Sequence, residues 1–342
     1  MAVSLKDVAR LAGVSIKTVS NVVNNSPSVS AATRTRVRAA LDALDYRPNT
    51  SARGLRTGRT DLIALAIPAL DEPYFAELSG LIVEAAARQG WTVLIEQTGG
   101  ERGLERQAAA GSRFHRIDGC IACPLALTGD DVAELAGQRP MVLLGERFSH
   151  PAADHVAVDS VQAAREVTGH LIELGRRRIA FVGAQPGTRI GGVRLAGYRA
   201  ALAEAGQRID EDLIMHTGPF RRSEGAAAMA RLLAARQPPD AVVCASDLLA
   251  VGALRTLLSV GVRVPDDVAV AGFDDIEEAR FSTPSLTTVA PDKAGIAEAA
   301  VELLCRRLRE RSAGPPVDVV AGHRLLVRES TAGPAVTSGP PR

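Results

Sequence analysis

The chain has 342 residues, with 40 Lys and Arg against 39 Asp and Glu, 46% hydrophobic residues and only 3% aromatic ones. It is long enough for more than one core, too apolar for a disordered polyelectrolyte, and without the run of about 18 apolar residues that a membrane helix needs. No basic and apolar leader precedes the first helical pattern and the four Cys form no disulfide-dense framework, so a reducing cytoplasm and no membrane partner are expected.

The near-neutral total hides two unlike parts. Residues 1–60 hold ten Lys and Arg and three Asp, a net charge of +7, and the other 282 residues carry −6. A cationic segment fused to a mildly anionic body points to a nucleic-acid module. Ser4 followed by Asp7 is a capping signal for a helix over 5–12, where Leu5, Val8, Ala9 and Ala12 share one face. Gly13 supplies the positive φ of a tight turn and Val14 fills the corner. Ser15 is placed to cap a second helix, 16 to about 24, with Val19, Val22 and Val23 inward. Ile16, Lys17, Thr18, Ser20, Asn21, Asn24 and Asn25 then face outward, offering donors and acceptors to base edges and phosphates in a major groove. A third helix over 31–45, capped by Ser30 with Val37, Ala40, Leu41 and Leu44 inward, adds Arg34, Arg36 and Arg38. Tyr46-Arg47-Pro48-Asn49 ends it, because the residue before Pro is pushed out of the helical region. A solvated helical hairpin would account for the first two helices alone; the third helix and its arginines favour a DNA-binding head.

Beyond residue 60 short apolar runs alternate with amphipathic stretches. Strands are predicted over 62–67, 92–96, 119–123, 141–144, 178–182, 240–244 and 268–273, and helices over 75–89, 161–174, 193–205, 223–235, 248–260 and 295–309. This alternation is that of parallel sheets built from βαβ units, an α/β class, and its length calls for two lobes.

The segments DVARLAGVS, TVSNVVN, YRPN and ARGLRTGRT resemble the lactose/galactose-repressor (LacI/GalR) family of bacterial transcription factors, and the resemblance runs the whole length of the chain. It implies a helix-turn-helix head over 1–48, a hinge helix or linker over 49–60, an effector-binding and dimerisation body over 61–330 and a disordered tail over 331–342. The body would take the two-lobed type I periplasmic-binding-protein fold, with crossings near 158, 285–290 and 320–328. In the head, Ile16, Lys17 and Asn21 match the positions that read base edges, and Thr18, Ser20, Asn24, Ser30 and Thr33 match positions that hold phosphate. Asn21 stands where many relatives have Arg, which would favour adenine over guanine. Leu55 corresponds to the apolar wedge that enters the minor groove, with Arg53 and Arg56 near phosphates. Gly54 suits a flexible linker equally well.

In open parallel sheets ligands sit beyond the carboxyl ends of the strands. The loops there mix aromatic rings, a guanidinium and carboxylates, which suits a sugar stacked on a ring with its hydroxyls bridging charged groups. Tyr74, Phe75, Arg194, Phe220, Ser246 and Asp274 match the family's effector positions, and Asp247 joins them as a strand-end residue. For Asp247 and Asp275, helix capping is the alternative role. Ser246 replaces the commoner Asn, and Gly145 a polar or acidic side chain. A purine-like ligand between Tyr74-Phe75 and Phe220 remains open.

No hydrolase elbow, phosphate loop, zinc-protease motif or dinucleotide fingerprint is present, so no catalytic residue, cofactor or metal is expected. Cys120 and Cys123 form C-x-x-C within a strand, which sends them to opposite faces. Of the scattered histidines, His150 is the one placed near a strand-end loop. The expectation is a cytoplasmic, ligand-responsive repressor of sugar-utilisation genes, nucleoid-associated when bound to a palindromic double-stranded operator as a homodimer. The alternatives are a co-repressor-type regulator with a purine-like effector, an enzyme acting on a sugar or nucleoside, and a DNA-bending protein without an effector.

Overall fold

Helix α1 (Leu5–Ala12) starts where the Asp7 carboxylate accepts hydrogen bonds from the N–H and hydroxyl of Ser4, at 3.1 and 2.6 Å. It ends at Gly13, left-handed with φ 60° and ψ 39°, and α2 (Ile16–Val23) opens with the Thr18 N–H on Ser15 Oγ at 3.1 Å. Ser30 Oγ accepts from the Thr33 N–H at 3.4 Å to begin α3 (Ala31–Ala43), which stops two residues early because Asp45 turns to φ 43°. Val8, Ala9, Ala12, Val19, Val22, Val37 and Ala40 form the core, with Val23, Leu41 and Leu44 packed around it.

The computed structural model describes residues 3–23, 26–46, 59–111, 116–146, 149–186, 189–310 and 314–333. Asn24, Asn25, Arg53, Leu55, Arg56, most of the expected hinge and all but the first three residues of the expected tail lie outside them. Contacts divide the chain into two units, Met1–Thr60 and Asp61–Arg342.

In the second unit, β1 (Leu62–Ile67), α4 (Pro73–Arg88), β2 (Thr92–Gln97), α5 (Arg102–Ala110), β3 (Gly119–Ala122), α6 (Gly129–Gln138), β4 (Met141–Leu144) and β5 (Asp154–Val158) build the first lobe. Next come α7 (Ser160–Glu173), β6 (Ile179–Ala184), α8 (Ile190–Glu204), β7 (Ile214–His216), α9 (Arg222–Leu233), β8 (Ala241–Cys244) and α10 (Asp247–Ser259). Then follow β9 (Ala269–Phe273), α11 (Glu277–Phe281), β10 (Thr287–Pro291), α12 (Lys293–Arg309), β11 (Asp318–Ala321), β12 (His323–Leu326) and α13 (Glu329–Ala332). One sheet runs β11-β5-β4-β3-β1-β2, all parallel. The other runs β12-β10-β9-β8-β6-β7, parallel except that β12 pairs antiparallel with β10. The chain therefore changes lobe after β5, after β10 and between β11 and β12; the second crossing lies just past the expected segment because that segment is itself a strand.

All seven predicted strands and all six predicted body helices form, within a few residues at their ends. The missed elements have unlike side chains on their inner faces. Helix α5 buries Ala108, Ala109 and Glu105, whose carboxylate accepts the N–H groups of Leu125, Ala126 and Leu127 at 2.7–3.2 Å. A helix whose inner face is Ala and Glu leaves no apolar stripe to read. Strand β5 opens on Asp154 and His155, both buried.

The first lobe's sheet has two apolar faces. Ile63, Leu65 and Ile67 pack with Leu78, Ile82 and Leu304, and Ala64 and Ala66 with Cys120, Val132 and Leu135. Cys123 belongs to the first cluster and Cys120 to the second, and burial pushes both thiols up to about 12, away from thiolate chemistry. In the second lobe α9 and α10 touch backbone to backbone: a Cβ on Gly252 would overlap the Arg222 carbonyl, and one on Gly225 that of Leu249. Gly252→Ala is expected to lower stability by about 1–3 kcal/mol, read as a lower urea midpoint. Gly137→Ala on α6, with nothing within 4 Å of the added carbon, should lose none.

Candidate functional site

Arg194 on α8 is 7% exposed and ties this helix to the segments at the ends of β8 and β9. Its Nη1 donates to the Ala245 carbonyl after β8, and its Nη2 lies 3.3 Å from the Asp274 carboxylate after β9. The guanidinium carbon stands 3.4 Å from the centroid of the Phe273 ring, a cation–π arrangement. Its Nε is buried with no hydrogen-bond partner among the described residues. A buried N–H left without an acceptor costs about 1–3 kcal/mol, so an oxygen placed there by a ligand is favoured.

Asp274 holds φ 111° and its carboxyl is pushed up to about 6 by burial, against the pull of Arg194 and Lys293 and with a push from Glu146. Glu72, the residue before α4, is pushed up to about 7 by burial, then by Asp274 and Asp71, with Arg221 opposing. The Tyr74 phenol is raised well above its ordinary value by burial, then by Glu146 and Asp274, and so stays a neutral donor. Electrostatic influence thus links Glu72, Tyr74 and Glu146 of the first lobe to Asp274 of the second, and Tyr74 to Arg194. Tyr74 packs against the cores of both lobes, with Phe75 edge-on to it at 5.4 Å between centroids and 74° between planes. Ser160 of α7 donates to Glu146 at 2.7 Å, and Lys293 donates to the Asp275 carbonyl at 3.0 Å while pairing with Glu77 of α4. The Ser160–Glu146 and Lys293–Asp275 contacts cross from lobe to lobe, whereas Lys293 and Glu77 pair within the first lobe.

Both raised carboxyls bind protons more tightly in the folded state, so their stabilising contribution is full below about pH 4 and is lost as pH rises through about 6 and 7. Glu72→Gln is therefore expected to flatten the fall in melting temperature between pH 5 and pH 8, without lowering stability at pH 8.

Two residues expected at the ligand are engaged by the fold itself. Asp247 is fully buried, with one oxygen accepting the Ile276 N–H at 3.0 Å and the other the Thr288 hydroxyl at 2.7 Å. It holds the loop carrying Asp274, and the cap of its helix is Ser246 instead. Ser246 is 2% exposed and caps α10, its Oγ accepting the Leu249 N–H at 3.4 Å. Asp275 also caps nothing: burial raises its carboxyl, but hydrogen bonds from Arg280 at 2.8 Å and Arg328 at 2.6 Å more than offset that and hold it below its ordinary value. Phe220 is half-buried against the second lobe's core. His150 takes the Ala152 N–H on Nδ1 at 3.2 Å and beside Gly129, at the far side of its loop, plays no part in this cluster. Glu72, Glu146 and Lys293 were not singled out from the sequence; their only signal is a position beside a strand end or a lobe crossing.

On the head, Ile16 is 48% exposed and Lys17 is exposed, while Thr18, Ser20 and Asn21 are half-buried. Thr18 Oγ1 shares a hydrogen bond with Ser15 at 2.8 Å, and Ser30 Oγ donates to Thr33 Oγ1 at 3.0 Å, so these hydroxyls order the helix starts. Arg34 donates to the Ser26 carbonyl at 2.7 Å and fixes the turn before α3.

A three-helix head of this kind together with a two-lobed body of parallel sheets, with polar contacts joining the lobes, is the organisation of a ligand-responsive DNA-binding regulator. Residues 4–49 match the family described as bacterial regulatory proteins, lacI family, and residues 168–331 match a periplasmic binding protein-like domain. The chain is 37% identical over 344 residues to the HTH-type transcriptional regulator CelR of Thermobifida fusca, covering 96% of this chain and 98% of that protein. It is 33% identical over 329 residues to the ribose operon repressor of Haemophilus influenzae, covering 96% of each. A structure described as the transcriptional regulator CelR–cellobiose complex superposes with a TM-score of 0.70 at 34% identity, covering 96% of this chain and 99% of that one. The lac repressor dimer bound to operator and the anti-inducer ONPF gives 0.84 at 27% identity, covering 97% and 99%. The chain belongs to the lacI family of DNA-binding transcriptional regulators, not to an enzyme family. Among the described residues no helix is long and apolar enough to cross a membrane.

Proposed function

We propose that this protein is a homodimeric repressor of sugar-utilisation genes, which leaves a palindromic operator when a sugar fills the cleft between its lobes. The observation that carries the reading is Arg194, buried on Phe273 with an N–H in want of an acceptor and a carboxylate at its side. A sugar meets that set with a C–H face for the ring and hydroxyls for the charged groups. The cellobiose complex of a relative 34% identical supports the same ligand class. Residues 1–48 would read the operator, with Ile16, Lys17 and Asn21 on bases and Thr18, Ser20, Asn24, Ser30 and Thr33 on phosphates. Within 49–60, Leu55 would be the minor-groove wedge and Arg53 and Arg56 its phosphate anchors, and 61–330 would bind effector and the second copy. The second reading, a purine-like co-repressor, draws on a PurR repressor of Erwinia tasmaniensis, 34% identical over 317 residues and covering 90% of this chain and 91% of that protein.

The test is operator binding by fluorescence anisotropy, with the sequence first selected from random duplexes, in the presence of sugars or nucleobases. Release by a sugar is expected; tighter binding with hypoxanthine would replace the first reading with the second. Leu55→Ala is expected to weaken the selected site by about 10-fold or more and nonspecific duplex much less, because wedging contributes only where the groove opens. Equal losses on both duplexes would remove Leu55 from that role.

A further inference from the structure

A cavity of about 380 Å³ lies at the amino ends of β6 and β7, the opposite end of that sheet from the cleft. Its floor is apolar: Ile179, Leu202, Leu213 and Tyr198 are buried, and the Tyr198 hydroxyl is already engaged, donating to the Ile179 carbonyl at 2.7 Å. Its rim is cationic. The guanidinium groups of Arg177, Arg178 and Arg208 line it beside one carboxylate, Asp210, an excess of two positive charges. Asp210 is taken by Arg178 Nη1 and by the Asp212 N–H, each at 3.1 Å, and Asp240 by the N–H groups of Arg177 and Arg178 at 2.8 and 3.0 Å. Arg177 and Arg208 are exposed, and among the described residues their side chains have no ion pair or hydrogen bond. In the same wall Arg178 Nε and Gln207 Oε1 are buried without a partner among the described residues, so the fold leaves a donor and an acceptor there unsatisfied.

We propose that this cavity binds a small organic phosphate monoester, its dianion on Arg177 and Arg208 and its apolar body on the floor, at a site separate from the effector cleft. A guanidinium is a planar fork that matches phosphate oxygens two at a time, and two such groups balance a dianion. Inorganic phosphate would leave the floor uncovered, and a sugar body would bury hydroxyls against Leu202 and Leu213 without partners. The volume is that of a small-molecule site. Arg194, Tyr198 and Leu202 follow one another at four-residue intervals on α8, which places Leu202 about 12 Å along the helix axis from Arg194. One end of α8 thus serves the cleft and the other the cavity.

The experiment is calorimetric titration of the full-length protein and its Arg177→Gln/Arg208→Gln variant with phenyl phosphate, benzoate, phenol and inorganic phosphate at fixed ionic strength. Both arginines are exposed, and an unliganded melting temperature close to wild type verifies folding. Phenyl phosphate is expected to bind the wild type at least about tenfold tighter than any of the other three, and the double variant to lose about tenfold of that affinity. Inorganic phosphate binding as tightly as phenyl phosphate would mean that surface arginines hold an ion without the floor. Equal binding of benzoate or phenol would remove the dianion from the site. A variant that keeps wild-type affinity for phenyl phosphate would place the ester elsewhere, as on residues 1–60 with their net charge of +7. Any of these results, or no binding of phenyl phosphate, would overturn this inference and leave the sugar reading standing.

Discussion

Arg194→Ala is expected to abolish the response to effector while leaving operator affinity within about threefold of wild type, well under 1.4 kcal/mol. The guanidinium touches the Ala245 carbonyl, the Phe273 ring and the Asp274 carboxylate at once, so its loss unties the loops after β8 and β9 from α8. Removing one partner of a buried pair generally costs about 3–5 kcal/mol. Here the cost should fall at the lower end, because Asp274, already raised to about 6, takes up a proton instead of remaining an unpaired charge. Arg194→Lys should fail as well: an ammonium carries the charge but not the planar fork that reaches carbonyl and carboxylate together. The readouts are the ligand-induced rise in melting temperature and the anisotropy of labelled operator. Loss of operator binding by a folded Arg194→Ala protein would sink the assignment of this residue to the effector.

The second large effect concerns the scaffold. Asp154→Ala is expected to destabilise the body by about 3–5 kcal/mol, the cost of breaking a buried ion pair. Asp154 is fully buried and takes Arg307 Nη2 at 2.7 Å and the Val317 N–H at 2.8 Å, joining β5, α12 and the start of β11. Without it Arg307, whose side chain is only 16% exposed, loses its counter-charge. Urea unfolding of a fragment starting at Asp61 would report the loss as a shift in midpoint without a change in slope. A change below 1 kcal/mol would mean that water replaces the carboxylate.

The elements that were legible share one property. Strands β1, β3, β4, β6, β8 and β9 are continuous apolar runs, as central parallel strands must be, and the head helices carry a clean face at helical spacing. Edge strands β11 and β12 are only half-buried, and α5 hides Ala and Glu rather than Leu, so neither leaves a periodic signal. The site follows the same division. Arg194, Asp274 and Tyr74 were singled out by strand-end position and family resemblance, but so were Asp247 and Ser246, whose side chains are engaged by the fold.

Local spacing was enough to set helix starts, turns and strand cores in this chain, because capping, positive φ and apolar periodicity act within a few residues of one another. Which carboxylate reaches the cleft and which is sealed beneath it is a question of side-chain direction and of partners distant along the chain, as Asp247 with Thr288 or Glu146 with Ser160 shows. Only the packed lobes decide it, since burial and pairing are properties of the assembled neighbourhood rather than of the residue.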